Sequence, residues 1–173
     1  NFIKNIDYLT YANLKNDKIF SKFLNKKVNL IKINSEKLNI VNKIRFVDNY
    51  SKNKLFQINE NEYSSKNLDI KISEKFKRIA QKYDKILIFD FGHGFINDNL
   101  VAQINKIKNK CYINCQSNSS NFGFNLADKY KSGKIISMDE AEFRLVARNK
   151  EDKIINLIKK KKKLFNNFMY LII

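Results

Sequence analysis

DKILIFDFGHGFI, residues 84 to 96, runs four apolar residues without a break, Ile86 to Phe89, into Asp90 and a turn holding two glycines. A half-buried strand alternates apolar and polar residues, whereas an unbroken apolar run predicts a strand covered on both faces, as in a parallel sheet. The neighbouring segments agree. Upstream, ISEKFKRIAQKY (72–83) predicts a helix capped by Ser73, with Ile72, Phe76, Ile79, Ala80 and Tyr83 on one stripe. Downstream, NDNLVAQINKIKN predicts a helix, KCYINC a strand, SNFGFNLADKYK a helix and KIISMD a strand. A helix opened by Asp139 and carrying Phe143, Leu145 and Val146 follows, then a helix in IINLIKKKKKLFNN and a last strand in FMYLII. From residue 72 onward helix and strand alternate, the pattern of an α/β fold with a mainly parallel sheet and right-handed crossovers.

The first seventy residues read differently. NDKIFSKFL (16–24) places Ile19, Phe20, Phe23 and Leu24 at helical spacing behind Asp17, and VNLIKI (28–33) reads as a strand. Residues 43–60 alternate on both sides of YSKN and predict a hairpin with Phe46 on one arm and Phe56 on the other.

Composition bounds what the chain does. Its 173 residues are 43% apolar and 13% aromatic, enough for a globular core. The net charge of +17 comes from 30 lysines and four arginines. Lysine, asparagine and isoleucine rise together while proline and tryptophan are absent, which matches a coding bias towards A and T. Arginine, the residue of bidentate base recognition, is scarce, so no specific nucleic-acid partner is expected. The run Lys159–Lys163 complements a helix C-terminus and stays solvated, or forms a phosphate-binding patch. Cys111 and Cys115, about 13 Å apart on one strand face, read as reduced thiols in a cytoplasmic protein. One histidine and two cysteines argue against a zinc site. The opening residues show no apolar signal region and LFNNFMYLII is too short to span a bilayer, so no membrane partner is expected.

In parallel α/β sheets ligands bind beyond the carboxyl ends of the strands. Three polar clusters fall there: Asp90 to Gly94, Asn114 to Asn125, and Asp139 to Glu142. In the first, Gly92 and Gly94 let backbone amides approach a ligand, Asp90 accepts from hydroxyls, and His93 is either structural or functional. In the second, neutral amides suit a polyhydroxylated ligand or a phosphate ester, or else build turns locally. In the third, Asp139 and Glu142 form a capping box or hold a hydrated magnesium ion.

The order of these motifs resembles the ribokinase-like (PfkB) carbohydrate kinases, and within them the heptose-kinase-like branch often fused to a nucleotidyltransferase domain. The residues that carry the resemblance are Lys43-Ile-Arg45-Phe-Val47, Lys54-Leu-Phe56, DKILIFDFGHGFI (84–96), YINCQSNSSNFGFNLADKY (112–130) and IISMDEAEFRL (135–145). They span roughly residues 17 to 173. The resemblance implies a single partial kinase domain over 1–173, with an edge and lid hairpin at 43–60 and a repeating helix–strand core at 72–173. It implies ATP and Mg2+ as cofactors and a sugar or sugar phosphate as substrate. Asp90, Gly92, His93 and Gly94 would line the sugar side, Gln116, Asn118 and Asn121 the nucleotide and phosphate side, and Asp139 and Glu142 the metal. A homodimer through the hairpin and a fused nucleotidyltransferase domain are the partners it suggests.

Three departures stand beside it. Gln116 occupies the place of a phosphate-contacting lysine, and Asp139 that of an asparagine in an Asn-x-x-Glu motif. The glycine-rich motif ending in the catalytic Asp is missing, since the four glycines stand at 92, 94, 123 and 133. The expectation is therefore an internal piece of a sugar kinase, truncated at both ends and inactive alone, with its base beyond Ile173. The alternative is a non-catalytic basic α/β module that binds nucleic acid or another polyanion.

Overall fold

The computed structural model describes residues 5–12, 22, 24–34, 42–60, 66–107, 109–118 and 121–173. The helix expected over 16–24, with Asp17 as its cap, lies almost wholly outside them. The chain divides into two compact units, Asn1–Lys71 and Ile72–Ile173.

The first unit holds two separate two-stranded ladders. Strand β1 (Ile6–Ala12), which the sequence reading did not anticipate, pairs in parallel with β2 (Val28–Asn34). Strands β3 (Asn42–Val47) and β4 (Lys54–Glu60) form the expected antiparallel hairpin, with a register shift between Phe46 and Val47. Its turn is organised by Asp48, whose carboxylate accepts from the Ser51 amide at 2.5 Å. Hydrogen bonding from the Ser51 side chain, and then from its amide, holds the Asp48 carboxyl below its ordinary range. Phe46 faces Phe56, ring centroids 4.3 Å apart and stacked, while Ile44 faces Ile58. All four side chains remain exposed.

Helix α1 (Lys66–Ala80) leads into the second unit. It starts seven residues before the expected cap, so Ser73 is an interior helical residue, not an N-cap. The reason is packing: Ile72, Ser73, Phe76 and Ala80 are all buried along one stripe, and a small serine fits among them.

Strand β5 (Ile86–Asp90), helix α2 (Asp98–Ile104), strand β6 (Cys111–Cys115), strand β7 (Gly133–Ser137), helix α3 (Glu140–Ala147), helix α4 (Ile154–Lys161) and strand β8 (Phe168–Ile172) make up the rest. The four strands form one all-parallel sheet in the order β5-β6-β7-β8, so sheet order equals chain order. Right-handed crossovers between such neighbours place the connecting helices over a single face. On that face Ile88, Ile113 and Ile136 stand in register and are buried, under a layer that includes Leu100, Val101 and Ile104 of α2. Phe143, Phe165 and Phe168 continue the core, with successive ring centroids 6.3 and 6.1 Å apart.

The opposite face departs from the two-sided cover that the apolar run predicted. Leu87 is 65% exposed and Phe89 59%, and in the same rows across the sheet Tyr170 and Ile172 are also exposed. The run is apolar on both faces, yet the described chain covers only one.

A second departure concerns SNFGFNLADKYK. Among its described residues only a 3-10 turn forms, at Ala127–Lys129. Asparagine side chains outcompete the helix: Asn121 Oδ1 accepts from the Asn118 amide at 2.8 Å, and Gly123 adopts φ +81°.

Candidate functional site at the carboxyl edge of the sheet

β5 delivers Asp90 to the carboxyl edge on its buried side, where only 2% of the residue is exposed. A carboxylate there requires partners, and the sequence supplies them from two loops. Oδ1 accepts from the Gly92 amide at 2.9 Å and from Asn125 Nδ2 at 3.3 Å. Oδ2 accepts from the Tyr130 hydroxyl at 2.7 Å and pairs with the Lys129 ammonium at 2.6 Å. Lys129 also donates to Asn125 Oδ1 at 2.6 Å. Asp90 therefore holds the surrounding loops together, with both oxygens engaged internally.

The same hub perturbs its neighbours. Burial, and then the Asp90 charge, push the Cys115 thiol up to about 12. Burial alone raises Cys111 to about 11. The Tyr130 phenol, fully buried against the Asp90 carboxylate, is driven well above its ordinary range. Both cysteines are buried and free, as the spacing predicted.

The turn after Asp90 depends on its glycines. Gly92 and Gly94 have φ of +67° and +86°. A Cβ on Gly92 would meet Asn121 Nδ2 at 1.9 Å and Asn125 Cβ at 2.7 Å. His93 is half-buried, its ring 6.5 Å from that of Phe91.

The amide-rich loop docks directly onto this turn. Asn118 Nδ2 donates to the Phe91 carbonyl at 2.7 Å, and Asn121 Nδ2 donates to the carbonyls of Phe91 and Gly92 at 2.9 and 3.0 Å. The Gln116 amide donates to the Asp90 carbonyl at 2.8 Å, while its side chain is exposed. Asn118 and Asn121 thus use their side-chain nitrogens to shape the rim, and Gln116 presents its own outward.

Asp139 and Glu142 build the N-terminus of α3. Asp139 Oδ1 accepts from the Glu142 amide at 2.8 Å, and Glu142 Oε2 accepts from the Asp139 amide at 2.7 Å, a complete capping box. Glu142 is 7% exposed, and its Oε1 accepts from the Ser117 amide at 2.5 Å. Both Glu142 oxygens are therefore spent on backbone N–H groups, which suits a clamp between loop and helix, not a direct metal ligand. Asp139 is exposed and keeps its second oxygen outside the cap. Among the described residues no group of three or more His, Cys, Asp and Glu side chains is placed to hold a metal ion.

The structure thus joins the three sequence clusters into one rim across β5, β6 and β7. Sequence reasoning included Asn125 in its second cluster without a role of its own, and missed Lys129 and Tyr130 as parts of the rim. Their only signal was a lysine and a tyrosine next to each other in a segment otherwise read as helix.

The mixed α/β architecture, with its central four-stranded parallel sheet, matches a ribokinase-like fold. A solved single-site variant of phosphofructokinase-2 from Escherichia coli matches with a TM-score of 0.60 at 8% identity, over 92% of this chain and 52% of that one. The same phosphofructokinase-2 in complex with potassium matches with a TM-score of 0.58, again at 8% identity and with the same coverage. The chain spans about half the length of these structures. No protein-family model matches the sequence. No curated protein matches it either. No helix among the described residues is long and apolar enough to cross a membrane.

Proposed function

We propose that this chain is part of an ATP-dependent kinase of sugars or sugar phosphates, akin to the heptose-kinase branch of the ribokinase-like enzymes. One observation carries the reading. The Asp90 turn, the Asn114–Asn125 loop and the α3 cap are bonded into one rim at the carboxyl edge of a parallel sheet, where such folds place their ligands. In this reading Gly92, His93 and Gly94 face the sugar, on a turn that Asp90 holds in place. Gln116 faces the nucleotide phosphates, on a loop that Asn118 and Asn121 shape. Asp139 receives a magnesium ion that keeps most of its waters, and Glu142 fixes the loop beside it. ATP supplies the transferable phosphoryl group. The base that deprotonates the sugar hydroxyl is not among these residues.

The bare sheet face supports the same reading. Parallel sheets occur almost only with both faces covered, and the matched structures are about twice as long. The exposed face of the β3–β4 hairpin, with Phe46 and Phe56 at 42% and 53% exposure, serves as a lid and as a contact between copies. A fused nucleotidyltransferase domain belongs to the same proposal.

Thermal unfolding of the 173-residue chain with a panel of hexose and heptose phosphates tests this. A ligand at a hundred times its Kd adds about 2.7 kcal/mol, roughly 5–10 °C in Tm for a chain of this size. Stabilisation that depends on sugar identity and persists in salt is expected, together with no ATP consumption by the chain alone. No shift with any sugar phosphate would sink the kinase reading, and ATP turnover by these residues alone would refute their inactivity.

A further inference from the structure

The sheet separates the chain's charge between its two edges. The stretches that leave the carboxyl ends of the strands, residues 91–97, 116–126 and 138–139, contain no lysine or arginine, and Lys129, which reaches that rim, is paired with Asp90 at 2.6 Å. The stretches that enter the amino ends are lysine-rich: Lys82 and Lys85 precede β5, Lys106 precedes β6, Lys131 precedes β7, and the run Lys159–Lys163 precedes β8. All of these lysines are exposed. Asp84 stands beside Lys85, and Asp128 three residues before Lys131. Asp152, just before α4, pairs with Lys160 at 2.8 Å, and α4 itself contains no acidic residue. A general lysine enrichment would populate both edges alike, so composition does not account for the asymmetry.

Exposed aliphatic side chains adjoin the lysine run of α4 and the turn after it. Ile155 of α4 is 64% exposed and precedes Lys159 by one helical turn, on the same face. Leu164, in the 3-10 turn Lys162–Phe165, is 48% exposed. Complementing the helix dipole explains lysines at the end of α4, but not exposed aliphatics between them.

We propose that the amino edge of the sheet is a peripheral docking surface for an anionic lipid membrane. Lysines suit it as hydrated point charges in a diffuse headgroup field, with stems that lie along apolar surface, and the absence of arginine from these loops disfavours forked recognition of nucleic acid. Ile155 and Leu164 enter the headgroup boundary, a use that a phosphate backbone does not offer them. This is attachment to a surface, not a crossing, and it departs from the expectation of no membrane partner. Because the polar rim lies at the opposite ends of the same strands, a docked chain presents that rim to solvent.

Co-sedimentation of the 173-residue chain with vesicles of phosphatidylcholine, with and without about 30 mol% phosphatidylserine at about 0.1 M salt, tests the proposal. Binding only to the anionic vesicles is expected. Combining Lys159→Glu, Lys162→Glu and Lys163→Glu should weaken it at least about a hundred-fold, at roughly five-fold per lysine. Ile155→Ser with Leu164→Ser should weaken it about ten-fold at unchanged charge. Lys43→Glu, Lys52→Glu and Lys54→Glu in the hairpin change net charge equally and should leave binding within about two-fold, and circular dichroism reports whether each variant folds. The proposal is overturned by equal binding to neutral vesicles, by an equal loss in the hairpin variant, by no effect of the Ile155 and Leu164 changes, or by duplex DNA displacing the chain from vesicles at equal phosphate.

Discussion

Replacing Asp90 by alanine should destabilise the second unit by about 3–5 kcal/mol, a figure that follows from the donors it leaves behind. The Tyr130 hydroxyl is fully buried and 2.7 Å from Oδ2, so losing its acceptor costs about 1–3 kcal/mol. The charge-assisted bond from the Gly92 amide contributes a further 1.5–3 kcal/mol or so. Lys129 adds little, because its side chain is 25% exposed and can turn towards water. Tyr130→Phe removes one donor and leaves Asp90 those of Gly92, Asn125, Lys129 and the Cys115 thiol, so it should cost only about 1–2 kcal/mol. Asp90→Asn should fall between the two, since an amide keeps an acceptor for Gly92 but sets a donor against Lys129. Urea unfolding followed by circular dichroism, with m compared across the variants, measures all three. The hub argument fails if Asp90→Ala lies within about 1 kcal/mol of the parent, or if Tyr130→Phe costs as much as Asp90→Ala.

Two glycines with the same handedness of φ should respond unequally. Gly92→Ala should cost about 2–4 kcal/mol and raise amide exchange through residues 116–118 and 121–125, because its Cβ would strike Asn121 and Asn125. Gly123→Ala, with φ +81° and nothing within 4 Å of the new atom, should cost only about 1–2 kcal/mol of backbone strain. Alkali should also unfold the chain early. Cys111 and Cys115 have folded values raised to about 11 and about 12 from an ordinary 9.0, so above pH 9 the unfolded state loses protons that the folded state keeps. This contribution is fully present up to about pH 8 and should fall by about 3–5 kcal/mol between pH 8 and pH 10.5, a loss that Cys111→Ala with Cys115→Ala largely removes.

Apart from β1, strands were the legible part of this fold. The runs at 28–33, 86–89 and 111–115 are apolar and rich in isoleucine, and each appears as a strand within a residue or two. The hairpin was legible from alternation around a polar turn, down to the facing phenylalanines. Helix limits were less so. Ser73 has the chemistry of a cap, yet burial of the stripe from Ile72 to Ala80 decides where it sits. In the amide-rich loop, side-chain bonds from Asn118 and Asn121 replace helical ones, and propensity carries no information about them. At the rim, the sequence identified which clusters meet but not how their atoms are spent. That Asp90 is saturated by Lys129, Tyr130, Asn125 and Gly92 depends on contacts across up to forty positions, a separation no local pattern records.

The agreement between strand order and chain order also bears on how the molecule is made. Ile86 lies opposite Cys111, Tyr112 opposite Ile135, and Gly133 opposite Phe168, so every ladder joins a strand to the one synthesised just before it. No strand has to wait for a distant partner or be threaded between two that already exist. As the chain emerges from the ribosome, the sheet can grow by one strand at a time, each newcomer closing a short loop and burying the previous edge. The sheet keeps two edges, β5 and the newest strand, which in the described sheet is β8, next to the most highly charged segment of the protein. Five like charges beside an unfinished edge keep nascent copies apart while the sheet is being extended.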